Sequence, residues 1–263
     1  MIRIVSTWAI VFSVITLFLS LIVPVLLAIW FVRKFGINFS VVIAGALTFI
    51  VFQMVLRIPL LQLLTMRFPG LVPNPQDAMA LFIYTFFLSL SAALFEEGGR
   101  WLVYKYFVKK PANWQNAIGF GIGHGGIEAI LLVGLTGIFN LLFLVLIKLD
   151  LNPFGGTMFY LLENSKAQLL QTPAYMFLLA GIERMLVIPA HVAFSVLVVL
   201  SLARKEGKYF ILALLGHFLL NLPTMFMAFP YGLVVVYTYL AIAFVLAMLW
   251  IKRAKKYFPE NTV

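Results

Sequence analysis

From Trp8 to Val32 the chain runs without one charged side chain. A helix of about 20 apolar residues crosses the ~30 Å hydrocarbon core of a bilayer, where each backbone N–H and C=O must be satisfied within its own segment. A run of that length therefore folds as a membrane helix. Arg33-Lys34 follows it with no small-residue cleavage pattern, so the run is expected to stay uncleaved rather than act as a signal peptide. Comparable runs recur at 37–56, 79–104, 116–147, 173–203, 209–228 and 231–251. Together they make seven spans, and the expected fold class is an all-α, polytopic transmembrane helical bundle of about 7–8 spans. Composition agrees, since 63% hydrophobic and 11% charged residues cannot clothe a soluble domain.

The net charge of +10 does not mark a nucleic-acid partner, because the cations sit in short loops beside apolar runs. Twelve of the nineteen Lys and Arg, among them Arg33, Lys34, Lys110, Arg204 and Lys252, fall on one side of the bilayer. Five, namely Arg3, Arg57, Arg67, Lys148 and Lys166, fall on the other, and Arg100 and Arg184 lie inside spans. Cytoplasmic loops carry the excess of Lys and Arg. The expectation is an integral, multi-pass protein of a cell membrane with its N-terminus outside and its C-terminus cytoplasmic. The chain has no cysteine, which excludes disulfides and thiolate metal sites.

Two spans are too long for their task. Residues 116–147 would extend about 48 Å at 1.5 Å per residue. Gly134 and Gly137 are expected to break the run into a span and a re-entrant or tilted piece, the source of a possible eighth crossing. The segment "MRFPGLVPNPQD" holds three prolines and reads as an external loop, with 57–66 before it lying along the interface. No repeat or low-complexity stretch divides the chain, so a single domain, 1–263, is expected, with its chemistry between about residues 90 and 225.

That chemistry lies in ionisable residues placed where lipid should be. His124, His191 and His217 all fall in apolar runs, as do Glu96, Glu97, Glu128 and Glu183. Each costs roughly 2.5–3.5 kcal/mol at the centre of a membrane helix, so such groups normally face a bundle interior and serve a function. Glu96 and Arg100 are i and i+4, Glu97 and Arg100 i and i+3; His124 and Glu128, His191 and Ser195, and His217 and Asn221 are each i and i+4. Residues so spaced share a helix face. Measured from the nearest cationic or aromatic anchor, Glu97, His124, His191 and His217 lie about 12–20 Å below one membrane face. Four helices thus bring polar groups to one layer. Glycines at 98, 99, 119, 121, 123, 125 and 126 let those helices approach closely, and Pro189 and Pro223 kink two of them beside His191 and Asn221. Glu183 and Arg184 fall nearer the other face and read as a separate ion pair or anchor.

A carboxylate, imidazoles and an amide in a dry pocket can activate water and stabilise an oxyanion. At this point the sequence resembles the glutamic-type intramembrane proteases related to CAAX-prenyl endopeptidases and bacteriocin-processing enzymes, most closely their YhfC-like branch. The resemblance rests on Glu96-Glu97-x-x-Arg100, Phe120-x-x-x-His124, His191 within its span and His217-x-x-x-Asn221, in that order. It implies an endopeptidase acting on a membrane-embedded or lipidated polypeptide. It further implies Glu96 as the base that activates water, His124 assisting it, His217 and Asn221 binding the oxyanion, and Arg100 holding the glutamate pair. The related CAAX enzymes usually have three residues between the pair and the arginine where this chain has two, so Glu96 or Glu97 can be the base. An i to i+4 ion pair with Arg100 favours Glu96. Glu128 suits the YhfC-like branch as an acceptor that orients His124.

Other readings compete. Buried polar groups also tie membrane helices together by hydrogen bonds, and Ser195 reads as a packing residue. Zinc held by His124, His191 and His217 with a glutamate is the alternative to metal-free hydrolysis, which is preferred because no HExxH helix motif appears and the ligands would come from three helices. No cofactor is therefore expected, with zinc as the alternative. A proton-coupled transporter would also place polar groups at mid-membrane, yet the chain shows no repeated halves. A non-catalytic membrane scaffold would tolerate alanine at Glu96 and His124.

Overall fold

A computed structural model describes residues 5–72, 77–151 and 156–259. Among these residues the chain is helices joined by short connections, with no strand. Seven helices are long and apolar enough to cross a membrane: α1 (Thr7–Phe35), α2 (Phe39–Arg67), α3 (Ala78–Tyr106), α4 (Trp114–Lys148), α6 (Ala174–Arg204), α7 (Gly207–Ala228) and α8 (Gly232–Tyr257). Between α4 and α6 lies a shorter helix, α5 (Gly156–Gln171). Local chemistry sets the starts. Asn38 accepts the Ser40 N–H at 2.9 Å ahead of α2, and Asp77 accepts the Ala80 N–H at 3.0 Å ahead of α3.

Three helices contain wide π-turns, at Phe18–Ile22 in α1, Ile50–Arg57 in α2 and Ala129–Gly134 in α4. They overturn two expectations. Residues 57–66 do not lie apart along an interface; they continue α2 to Arg67. Pro59, which has no N–H to donate, follows the π-turn within this continuous helix. Likewise 116–147 is not broken at Gly134 and Gly137, because α4 runs unbroken for 35 residues and takes up its irregularity as a π-turn. Both glycines serve packing instead. A Cβ at Gly134 would strike the Leu21 side chain, and one at Gly137 would lie 3.0 Å from Leu17 Cδ2. The external-loop reading of 66–77 falls partly on 73–76, outside the described residues.

The helices form two compact units, one of residues 1–26 and 128–185, the other of 27–127 and 186–263. The first has a core of Ala9, Phe143, Leu144, Leu162 and Leu169, to which α5 contributes the last two. Arg184 ties Glu128 and Glu183 together within it, its Nη1 donating to Glu128 Oε1 at 2.8 Å and its Nη2 to Glu183. The second unit holds two apolar clusters, one around Val41, Tyr104, Phe120, Val192 and Val196, the other around Phe194, Val198, Ala213, Val236 and Leu240. Its helices touch almost backbone to backbone. Gly45 of α2 lies against the Phe120 carbonyl, and Gly123 of α4 against that of Val42.

Candidate active site

Within the second unit, α3, α4, α6 and α7 each deliver ionisable side chains to one buried cluster. Arg100, Glu97 and His124 are wholly inaccessible, and Glu96, His191 and His217 are 3%, 3% and 1% exposed. Missing Cβ atoms make the approach possible. A methyl on Gly121 would sit 2.6 Å from Val192 Cα, and one on Gly125 would lie 3.2 Å from His191 Cβ, so α4 meets α6 only because both positions are glycine. Gly99 is filled by the Phe52 ring, whereas Gly98 faces open space and is not part of this packing.

Arg100 organises the cluster. Its Nη1 donates to Glu97 Oε1, and its Nη2 lies 2.8 Å from His191 Nδ1 and 3.8 Å from Glu96 Oε2. The expected i to i+4 pair is thus the looser one, and the bonded partner is Glu97 at i+3. A helix places both spacings on one face, and the Glu97 rotamer that also receives His217 wins. His217 Nδ1–H donates to Glu97 Oε1 at 2.6 Å. Glu96 meets His124 instead, with Nε2 to Oε2 at 3.0 Å, while His217 Nε2 stands 4.0 Å away. A guanidinium has only donors, so His191 presents its Nδ1 lone pair to Arg100 and carries its own proton on Nε2.

Aromatic rings fix the imidazoles. Phe49 stands edge-on to His124 at 5.4 Å, Phe194 stacks on His217 at 5.3 Å, and the His191 ring lies 5.5 Å from that of His124. Several buried polar atoms have no hydrogen-bond partner among the described residues: His124 Nδ1, Glu97 Oε2, Arg100 Nε and Ser195 Oγ. Asn221 does not join the cluster. It is half-buried where the α-helical part of α7 gives way to a 3-10 turn at Leu222–Ala228, and its carbonyl accepts the Thr224 hydroxyl. Glu128 lies one turn beyond His124 on α4 and is paired with Arg184.

One buried cation escapes a reading of the sequence. Arg57 is a buried member of α2 rather than a loop cation; it donates to Gln53 Oε1 at 3.1 Å, Ser91 Oγ at 3.1 Å and the Leu88 carbonyl at 2.7 Å. The i to i+4 spacing of Gln53 and Arg57 was the available signal. The grouping of ligand-type atoms departs from the expected zinc set by one histidine. Glu96, His124 and His191 offer oxygen and nitrogen atoms within 4.8 Å of one another, whereas His217, one of the three histidines expected around zinc, is bound to Glu97.

Comparison with known proteins narrows the class. A sequence model described as "YhfC intramembrane metalloprotease" matches residues 19–246. The chain is 32% identical over 272 aligned positions to a Bacillus subtilis (strain 168) protein named "Uncharacterized membrane protein YhfC", covering 97% of this chain and 99% of that one. No solved structure matches.

Proposed function

Because the chain belongs to the YhfC intramembrane metalloprotease family, we propose that it is an intramembrane endopeptidase hydrolysing a peptide bond of a membrane-embedded or lipidated polypeptide. The observation that carries this reading is the Glu96–His124 pair at 3.0 Å, a carboxylate and an imidazole buried together in a membrane-spanning unit. Glu96 is the better base of the two glutamates, since both Arg100 and His217 bind Glu97. It takes the proton of the attacking water and returns it to the leaving amine, while His124 holds the carboxylate through its Nε2–H. Glu97, Arg100 and His217 form the frame that fixes α3 against α6 and α7. The Nε2–H of His191 is a donor for the developing oxyanion. The N-terminus lies outside and the C-terminus in the cytoplasm.

Glu96, His124 and His191 also fit a divalent metal: buried, close together, and of the oxygen and nitrogen types that zinc accepts. When bound, such an ion would acidify a water and polarise the scissile carbonyl. The metal-free reading is favoured by the Arg100–His191 contact. Ligation through Nε2 would move the His191 proton to Nδ1, where the guanidinium now donates. Purified protein is assayed for cleavage of a panel of transmembrane peptides beside Glu96→Gln, with metal content measured before and after chelation. A folded but inactive Glu96→Gln protein supports the assignment, and one that cuts like wild type refutes it. Activity that survives removal of all metal selects metal-free hydrolysis; activity that falls with metal content and returns with zinc selects the metalloenzyme.

A further inference from the structure

Past the buried cluster, α3 ends in a different kind of site. A cavity of about 840 Å³ lies in the second unit among the last turns of α3 and α6, the α3–α4 connection and the first turn of α7. Three lysines line it, each from a different element: Lys105 on α3, Lys110 in the connection and Lys205 at the end of α6. Its walls include Trp101, Tyr104 and Phe210. Among the described residues none of these lysines is paired with a carboxylate. The adjacent acid, Glu206, is taken by Arg204 at 3.4 Å and by Lys208. Lys105 rests over the Trp101 ring, 4.2 Å from its centroid. Lys205 adopts left-handed backbone, φ 57°, as it closes α6 with the Glu206 N–H donating to the Ser201 carbonyl at 3.1 Å. The positive end of α7 begins at Gly207 on the same cavity.

Uncompensated cations above aromatic walls, at the end of membrane-spanning helices, match an anion joined to hydrocarbon. We propose that this cavity binds the phosphate of an anionic phospholipid, with the phosphate among Lys105, Lys110 and Lys205 and the first acyl carbons along Trp101 and Phe210. The apolar walls favour a lipid over a free phosphate ion or an acidic peptide, both of which would use the lysines and leave the aromatic rings idle. This site is independent of the proteolytic reading.

The test is native mass spectrometry of the full chain in neutral detergent, titrated with phosphatidylglycerol or phosphatidylcholine. Wild type should retain phosphatidylglycerol in preference, and each of Lys105→Gln, Lys110→Gln and Lys205→Gly should lower that retention about fivefold. Lys205→Gly is chosen because glycine adopts a positive φ without strain, so its loss of lipid reports the missing charge rather than a weakened fold. Lys252→Gln with Lys255→Gln, cations of α8 that do not line the cavity, should leave retention unchanged. The proposal is overturned if the three lysine variants keep phosphatidylglycerol like wild type, or if the α8 control loses as much. It is equally overturned if inorganic phosphate or an acidic peptide at matched concentration displaces the lipid.

Discussion

Arg100 has two neighbours that need it for different reasons. It neutralises Glu97 and fills the Nδ1 lone pair of His191, all without access to solvent. Removing one partner of a buried ion pair leaves an uncompensated charge and typically costs about 3–5 kcal/mol. Arg100→Ala should therefore lower the thermal unfolding midpoint in detergent markedly, with Glu97→Gln in the same background restoring part of the loss. His124→Ala is expected to behave differently. It removes the partner of Glu96 in a site framed by Arg100, so cleavage should fall about 10²–10⁴-fold while the unfolding midpoint moves much less. The residues of this cluster were legible in the sequence because ionisable groups in an apolar run stand out and a helix puts i, i+3 and i+4 on one face. Which carboxylate Arg100 binds was not legible, since both spacings satisfy the helix and the choice depends on His217 arriving from α7, 120 positions away. Arg57 was hidden for a related reason: its burial rests on Ser91 and Leu88 of another helix.

Glycine content marks the close helix contacts, yet each glycine's part depends on what faces it. Gly121 meets the backbone of α6 and Gly98 meets nothing within 4 Å. Gly121→Ala should destabilise the protein by about 1–3 kcal/mol through forced separation of α4 and α6, and should depress cleavage by displacing His124 from Glu96. Gly98→Ala should be neutral or stabilising by about 0.5–1 kcal/mol, since alanine is the better helix former. Thermal unfolding of the two variants side by side checks the pair. Hydropathy found the seven helices that, among the described residues, are long and apolar enough to cross a membrane. It missed α5, whose Leu162 and Leu169 are buried but whose Glu163 and Lys166 interrupt the apolar pattern. It also mistook the irregular stretches of α2 and α4 for ends, since nothing in composition separates a π-turn from a break.

At the scale of the molecule, moving Arg57 from a loop into α2 sharpens the charge asymmetry on which the orientation rests. The chain lacks cysteine, so single cysteines can report sidedness directly. Lys255→Cys should react with a membrane-impermeant maleimide only after the cytoplasmic face is opened, and Met66→Cys should react in intact cells; the reverse pattern would invert the topology. The π-turns carry a further consequence for how such a chain can change over time. Each adds an increment to the count of residues between two fixed ends of a helix. Deleting one residue within Ile50–Arg57 would let the wide turn tighten to α-helix and leave Arg57 on the same face, whereas a deletion in the α-helical part of α2 would turn everything beyond it by about 100°. A one-residue deletion is therefore absorbed at these three places without a change of phase, and acts as a change of phase everywhere else along the same helices.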